Sequence, residues 1–233
     1  MTGALMLAGG SEFSGQMAAP DRAAIAAAGG PGVEMAIIPA AAAPDHNDIR
    51  AGQNAERWFR QLGAQKVQSL PLIDRSSADN PAIVDRFKRA RLIYLLGGFP
   101  YHLANSLKGS RSWRAIMEAY RSGAVIAGSS AGAMVLCDDF FDPSANAFAT
   151  GLGLLSKTCI IPHHDTTGRQ WLHRLKKTFP DNLLVGIDEE TAMLTAGTTR
   201  HWKVHGKGQI TLYRGGEVIV WRPGETFSTE DRA

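Results

Sequence analysis

Cysteine is scarce: Cys137 and Cys159 are the only two in 233 residues. Two scattered thiols in apolar surroundings make no disulfide framework, so a reducing compartment is expected, although a Cys137–Cys159 bridge stays open. Long apolar runs are missing too, and no stretch is long enough to cross a bilayer. The first residues, MTGALMLAGG, carry no basic leader and read as a first strand, not a signal peptide. An excess of one charge is also lacking. Lys and Arg total 25 against 22 Asp and Glu, a net +3, and they are spread along the chain apart from small groups such as Lys176-Lys177. So weak a basic footprint argues against nucleic-acid binding. Repeats, low-complexity segments and linkers are absent. The expectation is a soluble cytoplasmic protein with no membrane or nucleic-acid partner, folded as a single domain over 1–233.

What is present is glycine, 25 of them, and an alternation of apolar strands with helices. Strands are read at 4–10, 34–43, 66–73, 92–98 and 124–129. Helices are read at 21–30, 49–64, 80–92 (with Asn80 as cap and Pro81 in the first turn) and 112–123. Strands without polar alternation, separated by helices, imply a parallel sheet buried on both faces. Further strands are read at 157–164 and 183–189. Segment 191–225 alternates and carries the turns Gly206-Lys207-Gly208 and Gly215-Gly216, as a hairpin-like edge would. The expected fold class is α/β: a three-layer sandwich with a mainly parallel central sheet flanked by helices, plus a C-terminal antiparallel hairpin.

The sharpest local signal is AVIAGSSAGAMVL, residues 124–136. An apolar strand runs into Gly128-Ser129-Ser130-Ala131-Gly132 and then into an apolar helix. Strand, G-x-S-x-G, helix is the pattern of a nucleophile elbow. The turn is so sharp that the positions two before and two after the serine must be small. Ser130 is then exposed at the carboxyl end of a central strand, where ligands of parallel sheets bind. The Ala131 amide, at the helix start, would face the same spot and can donate to an oxyanion. A second glycine turn, Gly97-Gly98, ends the strand LIYLLGG and offers Gly98 as the other donor.

A serine hydroxyl needs a base. Of the seven histidines, His163 and His164 in IIPHHDTTGR follow a short apolar strand expected to lie beside the elbow, and His163 is the candidate. The base needs an orienting acid. LLVGIDEETAML is another apolar strand ending in Asp188, Glu189 and Glu190, any of which can serve. The order Ser…His…acid differs from the Ser…acid…His of ordinary α/β-hydrolases. A zinc role for PHHD is disfavoured, because adjacent strand residues point to opposite faces. Nothing in the sequence calls for a metal or another cofactor.

With LLGG, GSSAGA, PHHD and GIDEETA in this order, the chain resembles the S51 peptidases, the group of aspartyl dipeptidase and cyanophycinase. The resemblance implies a class I glutamine-amidotransferase-like fold and a Ser-His-Glu triad, with Ser130 as nucleophile, His163 as base and Glu189 as acid. It implies Gly98 and Ala131 as the oxyanion hole, and a frequent homodimer. In that family an aromatic residue usually follows the histidine, where this chain has His164, and Phe99-Pro100 replaces the polar residue common after the glycine pair. Arg169 and Arg174 are candidates for binding a substrate carboxylate, although their spacing departs from that of cyanophycinases. The expected activity is hydrolysis of a peptide or β-aspartyl isopeptide bond in a peptide or small amino-acid-derived substrate. The alternatives are an esterase of the α/β-hydrolase type using His201 or His205, and a non-enzymatic binding member of the same fold.

Overall fold

Five short apolar strands, Leu5–Ala8, Glu34–Ile38, Lys66–Ser69, Leu92–Leu95 and Val125–Ser129, pair in parallel in a computed structural model that describes residues 3–195 and 201–229. They are five of the strands in an eight-stranded sheet. Val125–Ser129 lies between Leu5–Ala8 and Leu92–Leu95, so its carboxyl end is flanked by parallel strands on both sides. The other three strands are antiparallel: Thr191–Thr195 pairs with Leu5–Ala8, then His201–Gly206, then Thr226–Ser228 at the edge.

Alternation along each strand divides the core into two layers. Leu5, Leu7, Ile93, Leu95 and Ile126 face helices Pro81–Phe87, Pro100–Leu107 and Arg111–Arg121. Met6, Ile37, Tyr94 and Val125 face helices Ala18–Ala27 and Asp48–Gln61. Phe59 anchors the second layer, fully buried and edge-on to Tyr94 at 5.4 Å between ring centroids. Two of these helices are capped by side chains. Asn80 Oδ1 accepts the Ala82 N–H, and Ser110 Oγ accepts the Trp113 N–H. The three-layer α/β sandwich is therefore as expected.

Three local expectations are corrected. The strand read at 34–43 stops at Ile38; Pro39 has no N–H for a ladder, and Ala40–Asp45 winds into a 3-10 helix. The strand at 66–73 likewise stops at Ser69, ahead of Pro71. The third correction concerns the strand Thr158–Ile161, which does not extend the sheet of the elbow. It pairs in parallel with Leu183–Ile187 in a second sheet, completed by the antiparallel strands Ile210–Arg214 and Glu217–Trp221. The expected C-terminal antiparallel hairpin is there, Ile210–Arg214 with Glu217–Trp221, but it belongs to this second sheet while Thr191–Thr195 and His201–Gly206 pair in the first; 196–200 lies outside the described residues. The second sheet sets Ile160, Val185, Ile187 and Ile210 into the first core layer. Its other face buries Cys159, Ile161, Leu184 and Tyr213 against Leu175. A small hairpin, Asp139–Asp142 with Ala147–Thr150, and the helix Pro100–Leu107 carry no expectation from the sequence.

Candidate active site

The elbow is built by close approach. A Cβ on Gly128 would lie 2.4 Å from the Gly132 carbonyl oxygen, and one on Gly132 would lie 2.2 Å from the Leu95 carbonyl oxygen. Both positions are closed to any side chain. Ser130 between them has φ 49° and ψ −114°, a conformation that an L-residue occupies only when its surroundings impose it. The restraints are visible: its N–H donates to the Ala8 carbonyl at 3.0 Å, and its carbonyl accepts from Ala133 and Met134. The helix that follows, Ala131–Met134, is a single turn. The Ala131 N–H, first in that helix and without a partner in it, thus acts as a local amide and not as the end of a long dipole.

Ser130 Oγ lies 2.8 Å from His163 Nε2, and His163 Nδ1 lies 2.9 Å from Glu189 Oε1. A carboxylate can only accept, so Nδ1 carries the proton and Nε2 receives the serine O–H. These three residues come from three strand ends and two sheets. The His163 N–H donates to Gly9 O at 2.9 Å, tying the second sheet to the first. The imidazole rests on Gly10, where a Cβ would stand 2.2 Å from His163 Cε1. Glu189 is held in turn. Ser11 Oγ donates to its Oε2 at 2.8 Å, and its own N–H donates to Asp165 Oδ1 at 2.9 Å. The hydrogen bond from His163, followed by that from Ser11, keeps the Glu189 carboxyl below its ordinary pKa, hence ionised.

The neighbouring acids do other work. Asp188 is buried and bonds the buried His164 (Nδ1 to Oδ1, 3.3 Å), whose Nε2 accepts the Tyr213 O–H at 2.8 Å. Glu190 accepts the Gln16 N–H through Oε2. His163 and His164 therefore engage separate partners; both lie beyond the strand, which ends at Ile161, and His163 turns with φ 50°.

At the second glycine turn, Gly98 has φ +134°, and a Cβ there would meet the Ala41 carbonyl oxygen at 2.2 Å. The Gly97 N–H is occupied, donating to Glu12 Oε1 at 3.0 Å, whereas the Gly98 N–H has no acceptor among the described residues. The two arginines separate. Arg169 is exposed on the turn Gly168–Trp171, next to the Gly168 N–H that donates to the His163 carbonyl. Arg174 is engaged elsewhere: it bonds the Asn146 side chain and carbonyl and lies 4.6 Å over the Phe141 ring. His201 lines a separate cavity of about 580 Å³ with Leu212, Trp221 and Phe227, which shares no residue with the Ser130 line. His205 is half-buried on the strand His201–Gly206, and burial pushes its pKa down.

Sequence reasoning passed over Ser11, Glu12 and Asp165. The available signal was the turn AGGSEFSG, whose two glycines and polar residues follow the first strand just as Gly97-Gly98 follow a neighbouring one.

A serine on a strained strand-to-helix turn, in line with an imidazole and a carboxylate, is the arrangement of serine-type hydrolases. The profile of peptidase family S51 matches residues 5–202, and the chain belongs to that family. It is 31% identical over 201 residues to the cyanophycinase of Synechococcus elongatus, and equally so to that of Thermosynechococcus vestitus (strain NIES-2133 / IAM M-273 / BP-1). It is 27% identical over 168 residues to the cyanophycinase of Nostoc sp. (strain PCC 7120 / SAG 25.82 / UTEX 2576). These matches take in 79% and 67% of this chain but only 60% and 56% of the relatives, so it spans less than two thirds of their length. Among solved structures, a peptidase from an acI-B1 Actinobacterium superposes with a TM-score of 0.85 at 31% identity, covering 98% of this chain and 97% of that one. A putative peptidase E protein from Listeria monocytogenes EGD-e shares the fold, with a TM-score of 0.62 at 16% identity over 95% and 99% of the two chains. Among the described residues, no helix is long and apolar enough to cross a membrane.

Proposed function

We propose that the protein hydrolyses a peptide or β-aspartyl isopeptide bond through an acyl-enzyme on Ser130. The observation that carries this reading is the continuous line Ser130 Oγ, His163, Glu189, with contacts of 2.8 and 2.9 Å. His163 Nε2 takes the hydroxyl proton as Oγ bonds to the carbonyl carbon, and the carbonyl electron pair moves to oxygen. The Gly98 and Ala131 amides then hold that oxyanion, each such donor contributing roughly 3–4 kcal/mol. On collapse the C–N bond breaks and the imidazolium gives its proton to the departing amine. Water, deprotonated by the same imidazole, cleaves the ester and restores the hydroxyl. Glu189 remains ionised throughout and steadies the imidazolium.

Arg169 is the arginine proposed to meet a substrate carboxylate, since Arg174 is committed to the 139–150 hairpin. The esterase alternative with His201 or His205 has no geometric support, because Ser130 Oγ is bonded to His163. The unbridged, buried Cys137 and Cys159 fit a cytoplasmic setting.

Ser130→Ala should abolish both turnover of a dipeptide and β-aspartyl peptide panel and labelling by a serine-reactive phosphonate. Unchanged labelling in that variant overturns the nucleophile. A wild-type protein that labels but turns over no member of the panel favours a binding role over an enzyme.

A further inference from the structure

Glu12 stands where a negative charge is costly. Its Oε1 accepts the Gly97 N–H at 3.0 Å, one residue from the Gly98 amide assigned to the oxyanion. The point where a Gly97 Cβ would sit is 2.5 Å from Glu12 Oε1 and 3.3 Å from Ser130 Cβ, so the carboxylate and the nucleophile flank the same spot. Negative charge developing on the substrate oxygen would be opposed by this carboxylate, in a half-enclosed site where Coulomb terms are stronger than in water. Among the described residues, none forms an ion pair with Glu12. Glu12 opens onto a groove of about 260 Å³ whose wall contains Asn47, Asn54, Phe13 and Phe99, with no Lys, Arg or His in it. The adjoining groove holds one guanidinium, Arg57, and that group is bonded to Asn54 Oδ1.

We propose that Glu12 is a specificity-determining residue that pairs with an ammonium group on the acyl side of the substrate. That group is a free amine two or three bonds from the scissile carbonyl carbon, as in an α- or β-aspartyl peptide. The cation neutralises Glu12 as it arrives, so only a substrate bearing the amine finds an oxyanion hole free of opposing charge. Glu12 thereby selects an unblocked terminus over an internal peptide bond. The inference rests on Ser130 being the nucleophile, since that fixes where the carbonyl lies.

The test separates the two readings by measuring binding without turnover. On a Ser130→Ala background, calorimetry compares aspartyl-leucine and β-aspartyl-leucine with their N-acetyl forms. The free-amine form of the better ligand is expected to bind at least tenfold more tightly. Adding Glu12→Gln, which keeps an acceptor for the Gly97 N–H, should bring the two forms to within twofold. Equal affinity of both forms, no measurable binding of any, or a preference that survives Glu12→Gln overturns the proposal. In the Ser130-containing protein, Glu12→Gln should still label with the phosphonate, which shows that the elbow is formed. If the amine preference is present in Ser130→Ala while the wild type turns over neither peptide, the subsite stands and the hydrolase reading falls.

Discussion

At the scale of single residues, burial decides which carboxyl groups carry charge. Glu189 is kept ionised by donated hydrogen bonds, so its pairing supports the fold above the usual carboxylate range and is lost as pH falls through its lowered pKa. Asp21 is the opposite case. It is fully buried on the helix Ala18–Ala27, where Oδ2 accepts the Trp58 indole N–H at 2.7 Å, and desolvation pushes its pKa up to about 7. The folded state then holds a proton that the unfolded chain has released. Stability therefore falls as pH rises from 3.8 to about 7, on the order of 4 kcal/mol if the shift is fully expressed. Asp21→Asn keeps the acceptor for Trp58 and removes the charge. Urea unfolding should find the variant more stable than wild type at pH 8, with the advantage shrinking toward pH 5. A constant difference across that range would mean that Asp21 does not titrate there.

At the scale of elements, His163 and Glu189 are fixed as a pair. His163 and Glu189 end two adjacent parallel strands, and the residues beside them, His164 and Asp188, are bonded to each other on the buried side. Asp188 Oδ2 also accepts the Gln209 N–H at 2.9 Å, and Tyr213 closes the chain from the next strand. One buried network thus clamps both loops that position the imidazole. His164→Phe keeps a ring of similar volume but leaves Asp188 and the Tyr213 hydroxyl short of a partner, which should cost roughly 1–3 kcal/mol. The expected kinetic signature is a fall in kcat larger than the change in KM, with Tyr213→Phe showing a milder form. A variant with lower stability but wild-type kcat would reduce the network to scaffolding.

Across the whole molecule, legibility followed the strands. Ser130 and His163 were readable because each follows an apolar run, and chemistry at strand ends is what a parallel sheet offers; the run before Asp188, Glu189 and Glu190 marked where an acid lies, and only the family resemblance singled out Glu189. Gly128 and Gly132 were readable because sterics at the elbow admit nothing larger. The partnership of the sheets was not readable. Thr158–Ile161 looks like any buried strand, and only packing of Ile160, Val185 and Ile187 on the main core assigns it to a second sheet. Ser11 and Glu12 were hidden for a related reason. The six-residue segment 9–14 has no periodicity, and its polar groups acquire partners only when segments 178 and 85 residues away arrive beside them.

The hydroxyl rides on one sheet and the imidazole on the other, joined by a contact of 2.8 Å and by the His163 N–H bond to Gly9. Sliding one slab against its neighbour by a single ångström would disconnect the proton relay while every helix and strand stayed intact. Titration with urea should therefore extinguish peptide hydrolysis and phosphonate labelling at lower concentration than it erases far-ultraviolet dichroism. Coincident midpoints would mean that the two slabs part only when the whole chain melts.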